Sequence, residues 1–154
     1  MFREMRRKDR QIGTEAALEI LKNGEYGVLS TVGENGYAYG IPLSYTYTDN
    51  KIYFHCAKEG TKLDNIKFSN KVSFCVVGKT EVLPCKFSTN YESVVVFGDA
   101  FETEGEEKIK GLMDVVKKYS PGFIVEGEKY LEASAHETTV VRIDIKHLTG
   151  KARK

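Results

Sequence analysis

Apolar and polar residues follow two periods along this chain, and the switches between them mark its elements. In TEAALEILKNG, Ala17, Leu18 and Leu21 recur at helical spacing, Thr14 stands as an N-cap and Gly24 stands where a helix would stop. From Tyr26 the period drops toward two. YGVLSTV, the turn signal Glu34-Asn35-Gly36, YAYGIPLSYTYT, the turn signal Asp49-Asn50 and KIYFHCA read as three strands of a meander. Residues 61 to 68 read as one or two helical turns, and strand resumes at Lys71 with KVSFCVVG. Two further strands are expected around residues 85 to 89 and 92 to 103. In GEEKIKGLMDVVKKYSPG the apolar Ile109, Leu112, Met113 and Val116 share one stripe. Glu106 and Glu107 in its first turn and Lys117 and Lys118 in its last complement a helix dipole. A short helix is expected over residues 126 to 135, and TTVVRIDI at 138 to 145 reads as the final strand. Many short strands, turns between them and few helices predict a mainly β fold, an antiparallel barrel with peripheral helices. No linker, repeat or low-complexity tract divides the chain, so residues 1–154 are expected to form a single domain.

Composition narrows the function classes. With 41% hydrophobic and 29% charged residues the chain sits in the globular range, and no apolar run is long enough to span a bilayer. The N-terminal MFREMRRKDR is basic but lacks the apolar core of a secretory signal, so the expected location is cytoplasmic. Cys56, Cys75 and Cys85 are odd in number and form no C-x-x-C, which argues against a disulfide framework or a structural zinc site. A net charge of +1 gives no global pull toward nucleic acid, although Arg3, Arg6, Arg7, Lys8 and Arg10 make a local basic arm. The arm alone would suit an interaction module with salt-sensitive binding. Walker, G-x-G-x-x-G and G-x-S-x-G motifs are absent, and His136 and His147 have no metal-ligand spacing, so no metal site is expected.

Two local patterns carry candidate chemistry. In the second strand Tyr37, Tyr39, Ile41, Leu43, Tyr45 and Tyr47 alternate with Ala38, Gly40, Pro42, Ser44 and Thr46, giving one bulky face and one thin face. Pro42 cannot donate to a ladder and Gly40 permits close approach to the backbone. A flat ligand over residues 40 to 44 would use both; an opposing helix or a second subunit would use the thin face equally well. The second pattern is FHCAKEGTKLDNI. Gly60 followed by Thr61 looks like a loop ending in an N-cap, and Thr61 with Asp64 has capping-box spacing. Lys62, however, places a cation in the first helical turn, against the dipole, at a cost of about 0.3 to 1 kcal/mol. A phosphate monoester held by the free N–H groups, the Thr61 hydroxyl and the Lys62 ammonium would reverse that sign; a lysine bending into solvent would simply avoid it. His55, directly before this loop, is placed either to donate a proton or hydrogen bond to a ligand, or to be satisfied within the barrel wall.

In chain order, RRKDR, YGIPLSY at 39 to 45, FHCAKEGTKLDNIK at 54 to 67, KVSFCVVG, YESVVVFGDA at 91 to 100 and the terminal LTGK resemble the nitroimidazole-resistance (Nim) flavoproteins. These fall within the wider group of split barrels similar to pyridoxamine 5'-phosphate oxidase. The resemblance implies a six-stranded antiparallel split β-barrel that forms a homodimer, with FMN in each of two clefts at the subunit interface. It implies Ile41, Pro42, Leu43 and Ser44 along the isoalloxazine ring and ribityl chain, and His55 and Cys56 at the strand end flanking the cofactor. Thr61 and Lys62, after Gly60, match the pair that binds the 5'-phosphate, and Ser93 matches a polar residue that reaches the flavin side. The implied activity is FMN-dependent reduction of a small acceptor such as a nitroimidazole, with NAD(P)H or a protein as electron donor and His55 as the candidate catalytic proton donor. The alternative is a non-catalytic flavin or haem binding protein in the same fold. Two departures bear on substrate: pyridoxamine phosphate oxidases place an Arg-Lys pair where this chain has Thr61-Lys62, and they use a C-terminal tryptophan, whereas this chain contains none. Neither a nucleic-acid nor a membrane partner is expected.

Overall fold

In the computed structural model, which describes residues 1–154, eight strands and four helices alternate in the order β1 (Gln11–Ile12), α1 (Thr14–Asn23), β2 (Gly27–Val32), β3 (Ala38–Leu43), β4 (Thr46–Thr48), β5 (Lys51–Ala57), α2 (Thr61–Phe68), β6 (Lys71–Leu83), β7 (Ser88–Glu102), α3 (Gly105–Tyr119), α4 (Ile124–Ser134) and β8 (Thr138–Arg153). All pairings are antiparallel, in the order β3-β2-β6-β7-β8-β5-β4, with β1 added to β8. The two ends of that path are neighbours in the chain. Only Ser44 and Tyr45 separate β3 from β4, so one bent strand bonds β2 with its first half and β5 with its second. Counted this way the sheet is a barrel of six staves, the mainly β antiparallel class expected, with the tally of eight arising from this break and from the two-residue β1.

Several local expectations are corrected. Residues 85–89 are not a strand of their own: β6 runs on to Leu83, Pro84–Lys86 make one tight turn, and β7 starts at Ser88. Pro84 supplies a fixed φ for that turn, and Phe87 closes it in the left-handed region at φ 48°. β8 continues to Arg153 because a register shift between Phe97 and Gly98 re-phases its pairing with β7. Neither threonine caps its helix. Thr14 and Thr61 are the first helical residues, and Gly13 and Gly60 occupy the cap positions without side-chain bonds.

The barrel interior is filled by alternate residues of each strand, including Leu29, Phe54, Phe74, Val94, Val96, Val141 and Ile143, and α1 plugs one end with Ala17 and Leu21. The Tyr45 phenol reaches from the strand break to donate to the Leu21 carbonyl, and burial raises its pKa. A second apolar layer lies outside the barrel, where Leu112 of α3 packs on Tyr53 and Val140. Gly111 allows that approach, since a side chain there would press within 3.1 Å of Val140. Glu107 locks the same helix down: it accepts from Tyr53 at 2.8 Å and from Arg142 at 2.9 Å, and Arg142 also donates to Asp144 at 2.9 Å. The outer face of β2, β3, β6 and β7 has no such helix. No helix of the chain is long and apolar enough to cross a membrane.

Candidate functional site

The break at Ser44-Tyr45 opens a split in the barrel wall. β4 pairs with β5 only through Thr46↔Tyr53, Tyr47↔Ile52 and Thr48↔Lys51. Continued in register, Ser44 would face His55, Leu43 would face Cys56 and Pro42 would face Ala57, but β3 has turned away to β2 and these pairs do not form. β5 from His55 to Ala57 is bonded only to β8, and β3 only to β2. Two strand edges therefore face one another with unused backbone donors and acceptors, groups that a buried setting would have to satisfy. Pro42 lies on one of these edges, where its missing N–H costs nothing.

The side chains alternate across this split as the pattern of residues predicts. Ile41, Leu43 and Cys56 pack inward against the core, while Gly40, Pro42, Ser44 and His55 are exposed on the outside. The thin face of the second strand is thus an outer, uncovered one. His55 engages in no side-chain hydrogen bond, and desolvation by the surrounding wall lowers its pKa, so the imidazole favours the neutral form. No carboxylate orients it. Burial raises the pKa of the Cys56 thiol and the charge of Lys62 partly opposes that shift, so Cys56 favours the neutral thiol.

At the end of β5 the chain reaches α2 through Gly60, whose φ of 148° suits glycine and strains any other residue. The first backbone bond of α2 runs from Asp64 N to Gly60 O at 3.1 Å, and no side chain caps the N–H groups before it. Thr61 is exposed with its hydroxyl unbonded, and Lys62 stands in the first turn. Free N–H groups, a free hydroxyl and a cation at a helix N-terminus suit one phosphate. α2 is fixed in place by Leu63 and Ile66 in the core and by Asn65, which donates to the Thr31 hydroxyl at 3.0 Å.

Nine of the ten expected residues, from Ile41 through Lys62, border this split or its helical end. Ser93 does not. It sits on β7 between Val77 and Lys151, and the cross-sheet row Pro42, Val28, Cys75, Val95 puts three strand spacings, roughly 15 Å, between β3 and β7. Ser93 instead belongs to the uncovered outer face, beside the irregularity at Gly78 and Lys79 where Lys79 N bonds Glu92. What the sequence reading missed is the end of α3, where Lys118 and Tyr119 bond the backbone at the strand break. Their only sequence signal was a pair of terminal lysines that dipole complementarity already explained. No three His, Cys, Asp or Glu side chains gather as a metal site.

A sequence profile described as pyridoxamine 5'-phosphate oxidase matches residues 13–152. No curated protein matches the chain. Among solved structures, the conserved hypothetical protein Rv2991 from Mycobacterium tuberculosis is 17% identical with a TM-score of 0.82, the match covering 97% of this chain and 90% of that one. A candidate 5-nitroimidazole antibiotic resistance protein from Bacteroides thetaiotaomicron VPI-5482 is 18% identical, with a TM-score of 0.74 over 92% of this chain and 86% of that one. An FAD and haem binding protein from Mycobacterium smegmatis is 15% identical, with a TM-score of 0.76 over 94% and 74%. At these identities the likeness is one of fold.

Proposed function

The chain belongs to the pyridoxamine 5'-phosphate oxidase family, and on that premise we propose that it is an FMN-dependent oxidoreductase of the Nim-like type, working on a small acceptor such as a nitroaromatic. The observation that carries the reading is the split itself: two unpaired strand edges that end at an uncapped helix N-terminus bearing Thr61 and Lys62. The residues present fit the group. Gly60, with open space around its Cα, Thr61 and Lys62 would hold the 5'-phosphate; Ile41 to Ser44 and the edge at His55 and Cys56 would border the ring. Flavin, when bound, supplies the electron-transfer chemistry.

The chain's own side chains supply position and charge. Lys62 and the dipole of α2 would offset the charge of a phosphate at this helix end, where Asp64 is the acid of the same first turn. The unpaired amides and carbonyls of β3 and β5 offer bonds to a planar heterocycle, and Pro42 removes a competing donor. His55, neutral near pH 7 and free of internal partners, is available to accept or relay a proton at the mouth of the split. Ser93 is out of reach within one chain, so its assignment to the flavin side requires a second copy, seated by the uncovered face of β2, β3, β6 and β7. The proposal accordingly includes a homodimer with the cofactor at its interface, a location in the cytoplasm, and NAD(P)H or a protein as donor.

A binding protein without turnover, holding flavin or haem, is the second reading; the lack of any group orienting His55 favours it. The two separate in a reductive titration. Bleaching of the bound flavin by NADPH and its reoxidation by a nitroimidazole faster than by dissolved oxygen is the result expected of an oxidoreductase; reoxidation at the oxygen background assigns the chain to binding alone.

A further inference from the structure

At the strand break the backbone of Tyr45 leaves the ladder, and side chains from the last turn of α3 take the place of the missing strand. The Tyr119 hydroxyl accepts from Tyr45 N at 3.1 Å and donates to the Glu25 carbonyl at 2.6 Å. The Tyr45 carbonyl accepts from Lys118 Nζ at 3.0 Å and lies 3.1 Å from the Tyr119 hydroxyl. One helix end thus satisfies both polar groups of the residue at which β3 and β4 part. It also ties them to the turn between α1 and β2.

Lys118 is an unusual choice for such a bond. Its ammonium is half-buried, rests 4.0 Å from the centre of the Tyr45 ring and 5.2 Å from that of Tyr119, and enters none of the chain's ion pairs. Burial lowers its pKa to about 8. The desolvation of this cation is met without an acid, by the Tyr45 ring beneath it and the Tyr45 carbonyl it bonds, so both of these contacts are made at the residue where the strand breaks. Lys118 is well explained as a fixer of geometry. Ser44, the next residue toward β3, shares a surface hollow of about 620 Å³ with Lys118 and Tyr119.

We propose that Lys118 and Tyr119 are positioning residues for the ligand site: by holding Tyr45 out of the ladder they keep the split open and set where Pro42, Leu43 and Ser44 stand against the ring end of a bound flavin. The ligand half of this statement rests on the flavin reading above, while the latch itself rests on the contacts and is testable without ligand.

Hydrogen exchange of the Tyr45 amide in ligand-free protein reads the latch directly. Tyr119→Phe removes its acceptor, and exchange about tenfold faster is expected; unchanged exchange would overturn the proposal. FMN then reports the two ends of the site separately, the ring by its visible absorption and circular dichroism and the phosphate by its phosphorus resonance. In Tyr119→Phe and Lys118→Met the ring signals should change and FMN should bind about tenfold more weakly, with the phosphorus resonance unmoved and Lys118→Arg recovering part of the loss. Ring and phosphate signals that shift together, in step with a fall in melting temperature, would reduce both residues to fold stabilisers and sink the positioning role. Wild-type protein that takes up no flavin while Tyr45 exchange still responds would defeat the flavin reading and the ligand half with it, leaving a latch alone.

Discussion

The barrel has two outer faces, and the chain treats them oppositely. Over β5 and the first half of β8, α3 seals Tyr53 and Val140 beneath Leu112 and adds the Glu107–Arg142–Asp144 clamp. Over β2, β3, β6 and β7 no helix is laid, and the N-terminal arm contributes Phe2, stacked 5.0 Å from Phe97 and 4.7 Å from His147. Phe2, Val32, Val77 and Phe97 stay more than a third exposed there. The same alternation of apolar residues builds both surfaces. The difference lies in what covers each: one face is closed by its own chain, and the other, carrying Pro42 and Ser93, is left open. On the proposal of a homodimer, a second copy covers the open face.

The comparison breaks most sharply under charge. Leu112→Asp buries a carboxylate on the covered face and should cost more than about 3 kcal/mol, seen as a large fall in melting temperature. Phe97→Asp on the open face should cost no more than about 1 kcal/mol in a chain kept monomeric by dilution, yet shift sedimentation from dimer to monomer. Equal destabilisation by the two would mean that the faces do not differ in the way described.

A smaller effect sharpens the clamp. Hydrogen bonds from Tyr53 and Arg142 hold the Glu107 pKa below its ordinary 4.5, and burial beside Glu107 pushes the Tyr53 phenol up to about 12. For a carboxylate whose folded pKa is depressed, the stability is present above the unfolded value and lost as pH falls through the folded one. Acid titration should therefore weaken the wild type progressively below pH 4.5, and Glu107→Gln should flatten that part of the curve. Smallest is Thr46, whose hydroxyl is buried without a partner. Thr46→Val should raise stability by about 1 kcal/mol in denaturant melts, because the unmet bond is removed with little change of shape.

How much of this was legible in the residues depends on the range of the forces involved. The meander, α2 and the stripe of α3 follow from alternation, turn residues and charge placement within a few positions, and each is where the pattern put it. The caps were misjudged because Thr14 and Thr61 carry the right chemistry one residue late, and glycine fills the cap without announcing itself. The strand near residue 85 dissolved into a long hairpin since backbone pairing between β6 and β7 extends past the apolar run that signalled them. In the candidate site, Pro42, Gly60, Thr61 and Lys62 stood out because each breaks or bends a local rule. The split was not visible: it arises from β3 choosing β2 and β4 choosing β5, a non-local decision. Lys118 was invisible for a similar reason, since a lysine in a last helical turn looks ordinary until a strand break from elsewhere in the chain is laid against it.

The central claim is that the split ends in a phosphate site and holds a flavin. The measurement that reaches it most directly is the visible spectrum of wild type and Lys62→Glu after incubation with FMN and removal of free flavin. The account predicts bound flavin near one per chain in the wild type, and retention weakened by at least about tenfold in Lys62→Glu with the far-ultraviolet circular dichroism unchanged. Colourless wild-type protein, or equal flavin occupancy in the two, would contradict it.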